Sequence, residues 1–473
     1  MLAFGEIHFD SDQAIVGLMA KHLSELQTFP LYFYGQGYML GVEAWIAAPF
    51  FLVGGPTVAM LRLPLVLVNC VVAVWLARSI SQTVGSPWLG LIAALPFVAA
   101  SPILASGLLE TLGGSVEPFL YVLALWALRD RPLAFGLVLC VGFLHREFTI
   151  FAVLGVGVGM AFERGRPTLA IGRWLLRAAV GCAAVWLLVY GLKQWVIPGP
   201  PGSASTAAAP TLQLEWLLSI LTVRPSAVLP NLRQAIRECL PDLLGMRALQ
   251  PLRPNYITAS ATVGSAVIGI SMATVGVISL VRVAALSFPR RQTVSARRPS
   301  PFCWFMLVVG VQALLAYSIA GPVDPRYPAL LRYAFLTVFI PIALVTAFFE
   351  VEHRRGARVV VGLLLVLCAV LNTRDNWRII DEYRHAPPNL HRLLADDLVA
   401  HRIRYGSAPY WDAYITSFFA RERVILNSTE KVRIPAYETR VAKNAGVAVR
   451  IMRTPCGEGR RVEAWCVVDP LNR

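Results

Sequence analysis

The sequence predicts a mainly α-helical membrane protein: a polytopic bundle of transmembrane helices followed by a small external C-terminal α/β domain. Three observations predict this class. The 473 residues are 56% hydrophobic and only 15% charged, with a mean hydropathy of +0.59, whereas soluble domains carry about 25% charged residues. Long apolar runs recur between residues 58 and 371, and such runs are membrane-helix candidates. After residue 372 the composition turns polar, with no run of membrane length.

The apolar runs between residues 58 and 371 are predicted to form ten membrane spans. Two runs, 132–144 and 148–162, are short for full spans, so we expect a tight hairpin around Arg146 that crosses the bilayer incompletely. The predicted spans are 58–77, 88–107, 115–128, 132–144, 148–162, 174–197, 257–281, 302–320, 333–349 and 359–371.

The formal net charge of +15 is explained better by membrane topology than by nucleic-acid binding. Arginines concentrate in the loops 282–300 and 350–358, and such loops face the cytoplasm in membrane proteins. The first 57 residues and the residues after 372 then face outward. No zinc-finger or RNA-binding signature occurs, so we predict no nucleic-acid partner. Because a chain that begins outside needs an export element, we expect a membrane helix upstream of Met1. The alternative is that the helix after the opening segment translocates it.

Three regions follow from this organisation: an external acidic segment 1–57 with interfacial helices, a transmembrane bundle 58–371 that includes an external segment 198–255, and an external domain 372–473. In the last region LHRLLADDLVAHRI has helical periodicity, whereas VAVRIMR and VEAWCVV are strand-like. Cys456 and Cys466 flank a polar turn there. They can pair as a disulfide if the domain lies outside the cytosol.

The first region carries the acids that are candidates for chemistry. A carboxylate near an apolar, water-poor surface can have its pKa raised toward the range of a useful base. Asp10, Ser11 and Asp12 can equally cap a helix that starts at Gln13, because Asp and Ser favour that position. Glu43 can be a second carboxylate of the site or a first-turn acid that the helix dipole favours.

Two stretches of this region, FDSDQAIVGLMAKH and FYGQGYMLGVEA, resemble the first external loop of the GT-C membrane glycosyltransferases. The most similar members are bacterial enzymes that resemble protein O-mannosyltransferases and aminoarabinose transferases. The resemblance implies a GT-C-like bundle and a catalytic base at Asp12, which takes a proton from the acceptor. Where that group usually has Asp-Glu, this chain has Asp12-Gln13, which keeps the base but weakens the case for a metal-binding acid pair.

Other residues of the first region are candidates to bind the sugar and the acceptor. Tyr34 and Gln36 are candidates to bind sugar by stacking and hydrogen bonding, and Asp10 and Glu43 are candidates to orient a substrate. For the aromatic side chains of this stretch, anchoring at the membrane interface is an equal alternative.

A polyprenyl-phosphate donor needs cations at the membrane face, and arginine suits phosphate because of its forked donors. Arg326 and Arg332 lie in the external loop GPVDPRYPALLRYAF, where Arg332-Tyr333 resembles the R-Y-L-x-P element of the family. Arg146 is a weaker phosphate-binding candidate. The alternatives are snorkelling to the interface for Arg332 and simple solvation for Arg146. Two further acids, Glu110 and Glu117, are supporting candidates.

No P-loop, H-E-x-x-H, nucleophile elbow or nucleotide-sugar signature occurs. The predicted function is therefore an inverting transfer of a sugar from a polyprenyl-phosphate donor to a lipid, glycan or protein acceptor. We expect it at the outer face of a bacterial inner membrane, in contact with membrane lipid. No cofactor is required by these residues, although a divalent metal stays an alternative. The rival hypotheses are a transporter or flippase of lipid-linked sugars and a non-catalytic envelope assembly protein.

Overall fold

The computed structural model describes residues 5–37, 39–111, 116–162, 168–196, 225–253, 256–260, 262–287, 299–320, 328–385, 388–456 and 459–469. Within these ranges the chain is mainly helical and ends in a small mixed α/β domain. Six helices of the described residues are long and apolar enough to cross a membrane. The chain is therefore a multi-pass membrane protein, as the sequence predicts.

Two helices precede the membrane helices. A two-stranded antiparallel ribbon lies directly before the membrane helix Val263–Ser287. Short 3-10 segments cover Gly5–His8, Glu147–Ile150 and Pro328–Val338, and a π-helical turn covers Ala235–Cys239. In chain order the elements are α1 (Ser11–Ser24), α2 (Val42–Gly54), α3 (Val58–Val84), α4 (Pro87–Val98), α5 (Pro102–Gly107), α6 (Glu117–Ala127), α7 (Pro132–His145), α8 (Phe151–Phe162), α9 (Thr168–Val196), α10 (Pro225–Gln234), α11 (Leu240–Leu244), β1 (Ala248–Arg253), β2 (Tyr256–Ser260), α12 (Val263–Ser287), α13 (Pro301–Ala320), α14 (Phe339–Val351) and α15 (Arg355–Arg384).

Four of the ten predicted spans correspond to shorter helices. The predicted span 88–107 is divided into α4 and α5, because Ser101 caps α5 by accepting a hydrogen bond from the Leu104 backbone N–H and Pro102 occupies the first helical position. At about 1.5 Å per residue, the 14 residues of α7 reach about 21 Å, less than the roughly 30 Å of a bilayer core. This length agrees with the predicted short hairpin.

Two other predicted spans have different ends in the structure. Residues Tyr256–Ser260 form a strand instead of the first turns of a helix. The helix starts only at Val263, where the side chains of Thr262 and Ser265 each bond the other's backbone N–H, at 3.3 and 2.8 Å. The last predicted span, 359–371, lies inside α15, which continues through residue 372 to Arg384.

The C-terminal domain has the predicted mixed character. In chain order its elements are α16 (Leu390–Ala400), β3 (Tyr405–Ala408), α17 (Tyr410–Phe419), β4 (Ile425–Ser428), α18 (Pro435–Lys443), β5 (Val449–Arg453), β6 (Arg460–Val462) and β7 (Trp465–Val468). The predicted helical pattern forms α16, and the two strand-like stretches contain β5 and β7. Five strands form one sheet in the order β4-β3-β5-β7-β6, in which β3 pairs parallel with β4 and β5, and β7 pairs antiparallel with β5 and β6. Cys456 and Cys466 form a disulfide.

The first helix of the chain packs against the C-terminal domain. Helices α1 and α17 contact each other, and their buried residues share one hydrophobic cluster with the sheet. The Phe418 ring packs directly against Gly17, where an added Cβ would lie 2.4 Å from Cε2 of Phe418. A side chain at this position would clash with the Phe418 ring and disturb the packing of α1 against α17. The opening segment and the C-terminal domain therefore form one packed body, which the sequence did not predict.

A polar network connects the C-terminal end of α1 to the C-terminal domain. Glu422 accepts hydrogen bonds from Lys21 Nζ at 2.5 Å and from the Tyr437 hydroxyl at 2.8 Å, and it lies 3.0 Å from Nε2 of His22. Burial alone would raise the pKa of Glu422, but His22 and Lys21 outweigh it and lower the pKa to about 2. The Glu422 carboxylate therefore stays ionised and joins the two ends of the chain.

Candidate active site

The start of α1 separates the roles of its two aspartates. The helix begins at Ser11, and Asp10 is its cap, with Oδ1 accepting a hydrogen bond from the Gln13 backbone N–H at 2.9 Å. Burial, joined by the nearby charge of Asp12, raises the pKa of Asp10 to about 6. Asp12 lies in the first turn and is not the cap. Helix capping therefore accounts for Asp10 and leaves the carboxylate of Asp12 available for another role.

The carboxylate of Asp12 contacts the C-terminal domain. The buried Tyr410 hydroxyl, at the start of α17, donates a hydrogen bond to Asp12 Oδ1. Arg433 Nε in turn donates to the Tyr410 oxygen at 3.3 Å, and Arg433 Nη1 donates to the Gly35 carbonyl at 3.4 Å. The Gln36 amide, oriented with its oxygen toward Arg433, accepts from Nη1 at 3.0 Å and Nη2 at 3.2 Å. The structure thus brings Asp12 and Gln36 together through Tyr410 and Arg433.

Two arginines of the helical bundle interact electrostatically with nearby carboxylates: Arg62 with Asp10 and Glu110, and Arg332 with Asp12 and Glu110. Arg62, 5% exposed on α3, donates to the Gln13 side chain at 2.8 Å. Arg332 is subject to the charges of Asp12 and Glu110, and its guanidinium lies over the Tyr333 ring at 5.2 Å from the centroid. Three carboxylates, Asp10, Asp12 and Glu110, therefore share one electrostatic neighbourhood with these arginines.

These surrounding charges and burial together shift the pKa of Glu110. Burial raises the pKa of Glu110 to about 7, and the charge of Asp10 raises it further, whereas Arg62 and Arg332 oppose the increase. A carboxyl group with a pKa near neutrality can exchange a proton under physiological conditions. Glu110 is therefore a buried carboxyl group of this neighbourhood that can exchange a proton near neutral pH.

Other predicted site residues are engaged elsewhere. The Tyr34 hydroxyl lies 2.8 Å from Nδ1 of His22 and 3.0 Å from the Thr28 hydroxyl, which connects it to the Glu422 network. Burial raises the pKa of Tyr34 to about 12. The Tyr333 ring packs edge-to-face on Phe148, with centroids 5.5 Å apart. Arg326 lies outside the described residues.

Glu43 and Arg146 form a different group. Arg146 Nη2 lies 3.4 Å from Glu43 Oε1, and both side chains are at most 8% exposed. Glu117 and His145 are their buried neighbours. Together with Met19 and Phe33, Glu43 and Arg146 line a small cavity. The structure therefore places some of the predicted site residues around Asp12 and others around Glu43, whereas Tyr34 belongs to the Glu422 network.

Solved structures that match this fold include those of two proteins. The structure of ArnT from Cupriavidus metallidurans in the apo state matches with a TM-score of 0.43 and 12% identity, over 97% of this chain and 93% of that chain. The same enzyme bound to undecaprenyl phosphate matches with a TM-score of 0.43 and 13% identity, over 99% of this chain and 96% of that one.

The second enzyme is the oligosaccharyltransferase of Archaeoglobus fulgidus in its apo form. It matches with a TM-score of 0.48 and 11% identity, over 94% of this chain, which spans 66% of that protein. No protein-family model and no curated protein matches the sequence.

Three residues around Asp12 were not singled out from the sequence. Arg62 interrupts an otherwise apolar helix, and a charge inside a predicted span is a signal that could have found it. Tyr410 lies in YGSAPYWDAYITSFFA, which resembles a C-terminal segment of some bacterial members of the GT-C group, but nothing in the sequence indicates that it meets Asp12. For Arg433, one of many basic residues in a polar domain, the sequence carries no such signal.

Proposed function

We propose that this chain is a glycosyltransferase that moves a sugar from a polyprenyl-phosphate donor to a lipid, glycan or protein acceptor. The observation that carries the proposal is the position of Asp12: its carboxylate is not used as a helix cap and acts electrostatically on Arg332. A base beside a phosphate-binding cation is what transfer from a phosphate-linked sugar requires. The donor class follows from the resemblance of the opening segment.

In the proposed reaction Asp12 accepts the proton of an acceptor hydroxyl group. The acceptor oxygen bonds to the anomeric carbon while the bond from that carbon to the phosphate oxygen breaks. The attack comes from the side opposite the phosphate, so the configuration at the anomeric carbon inverts. Arg332 binds the departing lipid phosphate through its forked donors, and Tyr410 holds the carboxylate of Asp12 in place.

We propose that the reaction takes place at the outer face of the membrane. The basic loops that are predicted to be cytoplasmic support an external position of the opening segment and of the C-terminal domain. The Cys456–Cys466 disulfide supports this side, because disulfides persist in oxidising compartments. Labelling intact cells with a membrane-impermeant thiol reagent tests it: a cysteine at the exposed position Asp396 should react, and protection by the membrane would contradict the assignment.

The function is tested by transfer from short-chain polyprenyl-phosphate sugars in proteoliposomes that contain the full chain. The acceptor is found by mass spectrometry of envelope lipids, glycans and proteins from cells with and without the gene. Asp12→Asn should lower the transfer rate by about 10²–10⁴-fold, the range of a general base. Asp396→Asn, which changes an exposed carboxylate on α16, is the matched control and should transfer normally. Normal transfer by a well-folded Asp12→Asn variant would refute the role of Asp12.

A further inference from the structure

Two turns of the C-terminal domain that lead from a helix into a strand carry the same pattern, arginine-x-arginine. Arg402 and Arg404 lie between α16 and β3, and Arg421 and Arg423 lie between α17 and β4. The strands β3 and β4 are parallel neighbours, and the Ile425 backbone N–H donates to the Arg404 carbonyl at 2.8 Å. The four arginines therefore meet at one edge of the sheet, where its parallel strands begin. We call this the basic edge.

The positive charge of the basic edge is not compensated by nearby acids. Arg440 and Lys443, in the last turn of α18, extend it, because α18 connects β4 to β5 and both strands run parallel to β3. All six basic residues are exposed, and their side chains form no ion pair within the described ranges. Glu422 lies between two of the arginines in sequence, but its carboxylate is engaged by Lys21 and His22. Such a concentration of one sign of charge attracts anions.

Exposed apolar side chains border the basic edge. Leu26 is 89% exposed and Phe29 is 45% exposed, and both follow the end of α1 that the Glu422 network joins to α17. Val447, 66% exposed, lies just before β5 at the same edge of the sheet. Apolar and basic side chains presented together are typical of surfaces that lie in a membrane interface.

The chain after α1 rests on the end of a membrane helix. Leu31 shares a hydrophobic cluster with Val189 of α9, a candidate membrane span that ends at Lys193. The Phe29 ring stacks on Trp45, with centroids 5.6 Å apart, and aromatic side chains are enriched where a membrane meets water. Because Leu31 is only two residues from Phe29, the basic edge and its apolar border lie beside the membrane surface.

We propose that the basic edge binds the phosphate groups of anionic lipids in the adjacent leaflet, while Leu26 and Phe29 enter its interface. Arginine binds phosphate through its forked donors, and clusters of basic residues beside a membrane bind anionic lipids. A soluble polyanion would also suit the arginines, but it would leave the apolar side chains in water.

This surface is separate from the candidate active site. Tyr410, which contacts Asp12, begins α17, whereas the basic edge follows the end of that helix. The 10 residues of α17 place the two about 15 Å apart, at about 1.5 Å per residue. The lipid contact would therefore hold the C-terminal domain on the bilayer from the side away from Asp12. The inference does not depend on the proposed glycosyl transfer.

The test measures how deeply this surface enters the bilayer, and it needs no substrate. Leu26→Cys is labelled with the fluorophore NBD in the full chain with Cys70→Ser, which removes an exposed free cysteine. The chain is placed in nanodiscs of phosphatidylcholine alone or of an equal mixture with phosphatidylglycerol, each with nitroxide-labelled lipid. We expect the nitroxide to quench the probe more strongly in the anionic nanodiscs, and we expect added salt to reduce the difference.

Arg404→Gln/Arg421→Gln removes two charges from the basic edge. An arginine near an anionic surface is worth about 1 kcal/mol, a factor of about five, so the ratio of quenched to unquenched probe should fall about 25-fold. Arg450→Gln/Arg461→Gln is the matched control. It removes two exposed arginines of β5 and β6, outside the basic edge, and should keep the quenching of the wild type.

The comparison of the two lipid compositions uses the wild-type arginines, so it decides even if the arginine variants fold poorly. Equal quenching in neutral and anionic nanodiscs would overturn the proposal, as would unchanged quenching in a well-folded Arg404→Gln/Arg421→Gln variant. Fluorescent polyphosphate is added to neutral nanodiscs as a soluble polyanion. If it binds only when both arginines are present, and quenching is equal in the two lipids, the basic edge binds a soluble anionic polymer and the proposal is wrong.

Discussion

Replacing Tyr410 with phenylalanine removes one hydroxyl group between Asp12 and Arg433. Burial, together with the charge of Asp12, raises the pKa of Tyr410, so its phenol stays protonated and donates to the carboxylate. The variant keeps the ring and its packing at 6% exposure. It loses a hydrogen bond to a charged group, worth about 1.5–3 kcal/mol. If that bond holds Asp12 in its reactive orientation, the transfer rate falls about 10–150-fold, because each 1.36 kcal/mol is tenfold in rate.

The assay is transfer in proteoliposomes, combined with thermal unfolding of the purified chain in detergent. Tyr437→Phe is the matched control, since Tyr437 also donates from a buried phenol to a carboxylate, that of Glu422, at 2.8 Å. Both variants should lose similar stability, whereas only Tyr410→Phe should lose transfer activity. Normal transfer by Tyr410→Phe, or an equal loss in Tyr437→Phe, would refute a specific role of Tyr410 at Asp12.

Three further predictions use the same preparations. Arg332→Lys keeps the positive charge but loses the paired N–H donors of the guanidinium. KM for the donor should therefore rise about tenfold while kcat changes little. An unchanged KM would contradict phosphate binding. Gly17→Ala places a methyl group against the Phe418 ring and should lower the free energy of unfolding by about 1–3 kcal/mol. An unchanged unfolding temperature would argue against this contact. The depressed pKa of Glu422 gives stability that is present above pH 4.5, the ordinary value, and is lost as the pH falls toward 2. Glu422→Gln should unfold with less pH dependence over that interval, and identical profiles would contradict the network.

Local patterns predicted much of the fold. Apolar runs predicted the long helices because a bilayer requires about 20 apolar residues in succession. Helical and strand-like periodicity predicted α16, β5 and β7, because a helix repeats every 3.6 residues and a strand every two. Helix ends were predicted less well. The break at Ser101 and the start at Val263 depend on single capping residues inside apolar sequence.

The sequence by itself determined the class of the protein and the chemistry it offers: a multi-pass helical chain with acids in its opening segment and arginines near predicted membrane surfaces. Only the tertiary structure decided which of these groups meet. Asp12 and Tyr410 are separated by 398 positions and are joined by a hydrogen bond. Glu43 belongs to a cluster with Glu117 and His145. Sequence patterns report neighbours within a few turns of a helix, whereas these contacts arise when α1 packs on α17 and when α2 meets α6 and α7. That packing is determined by the shapes of whole buried faces, which no local pattern records.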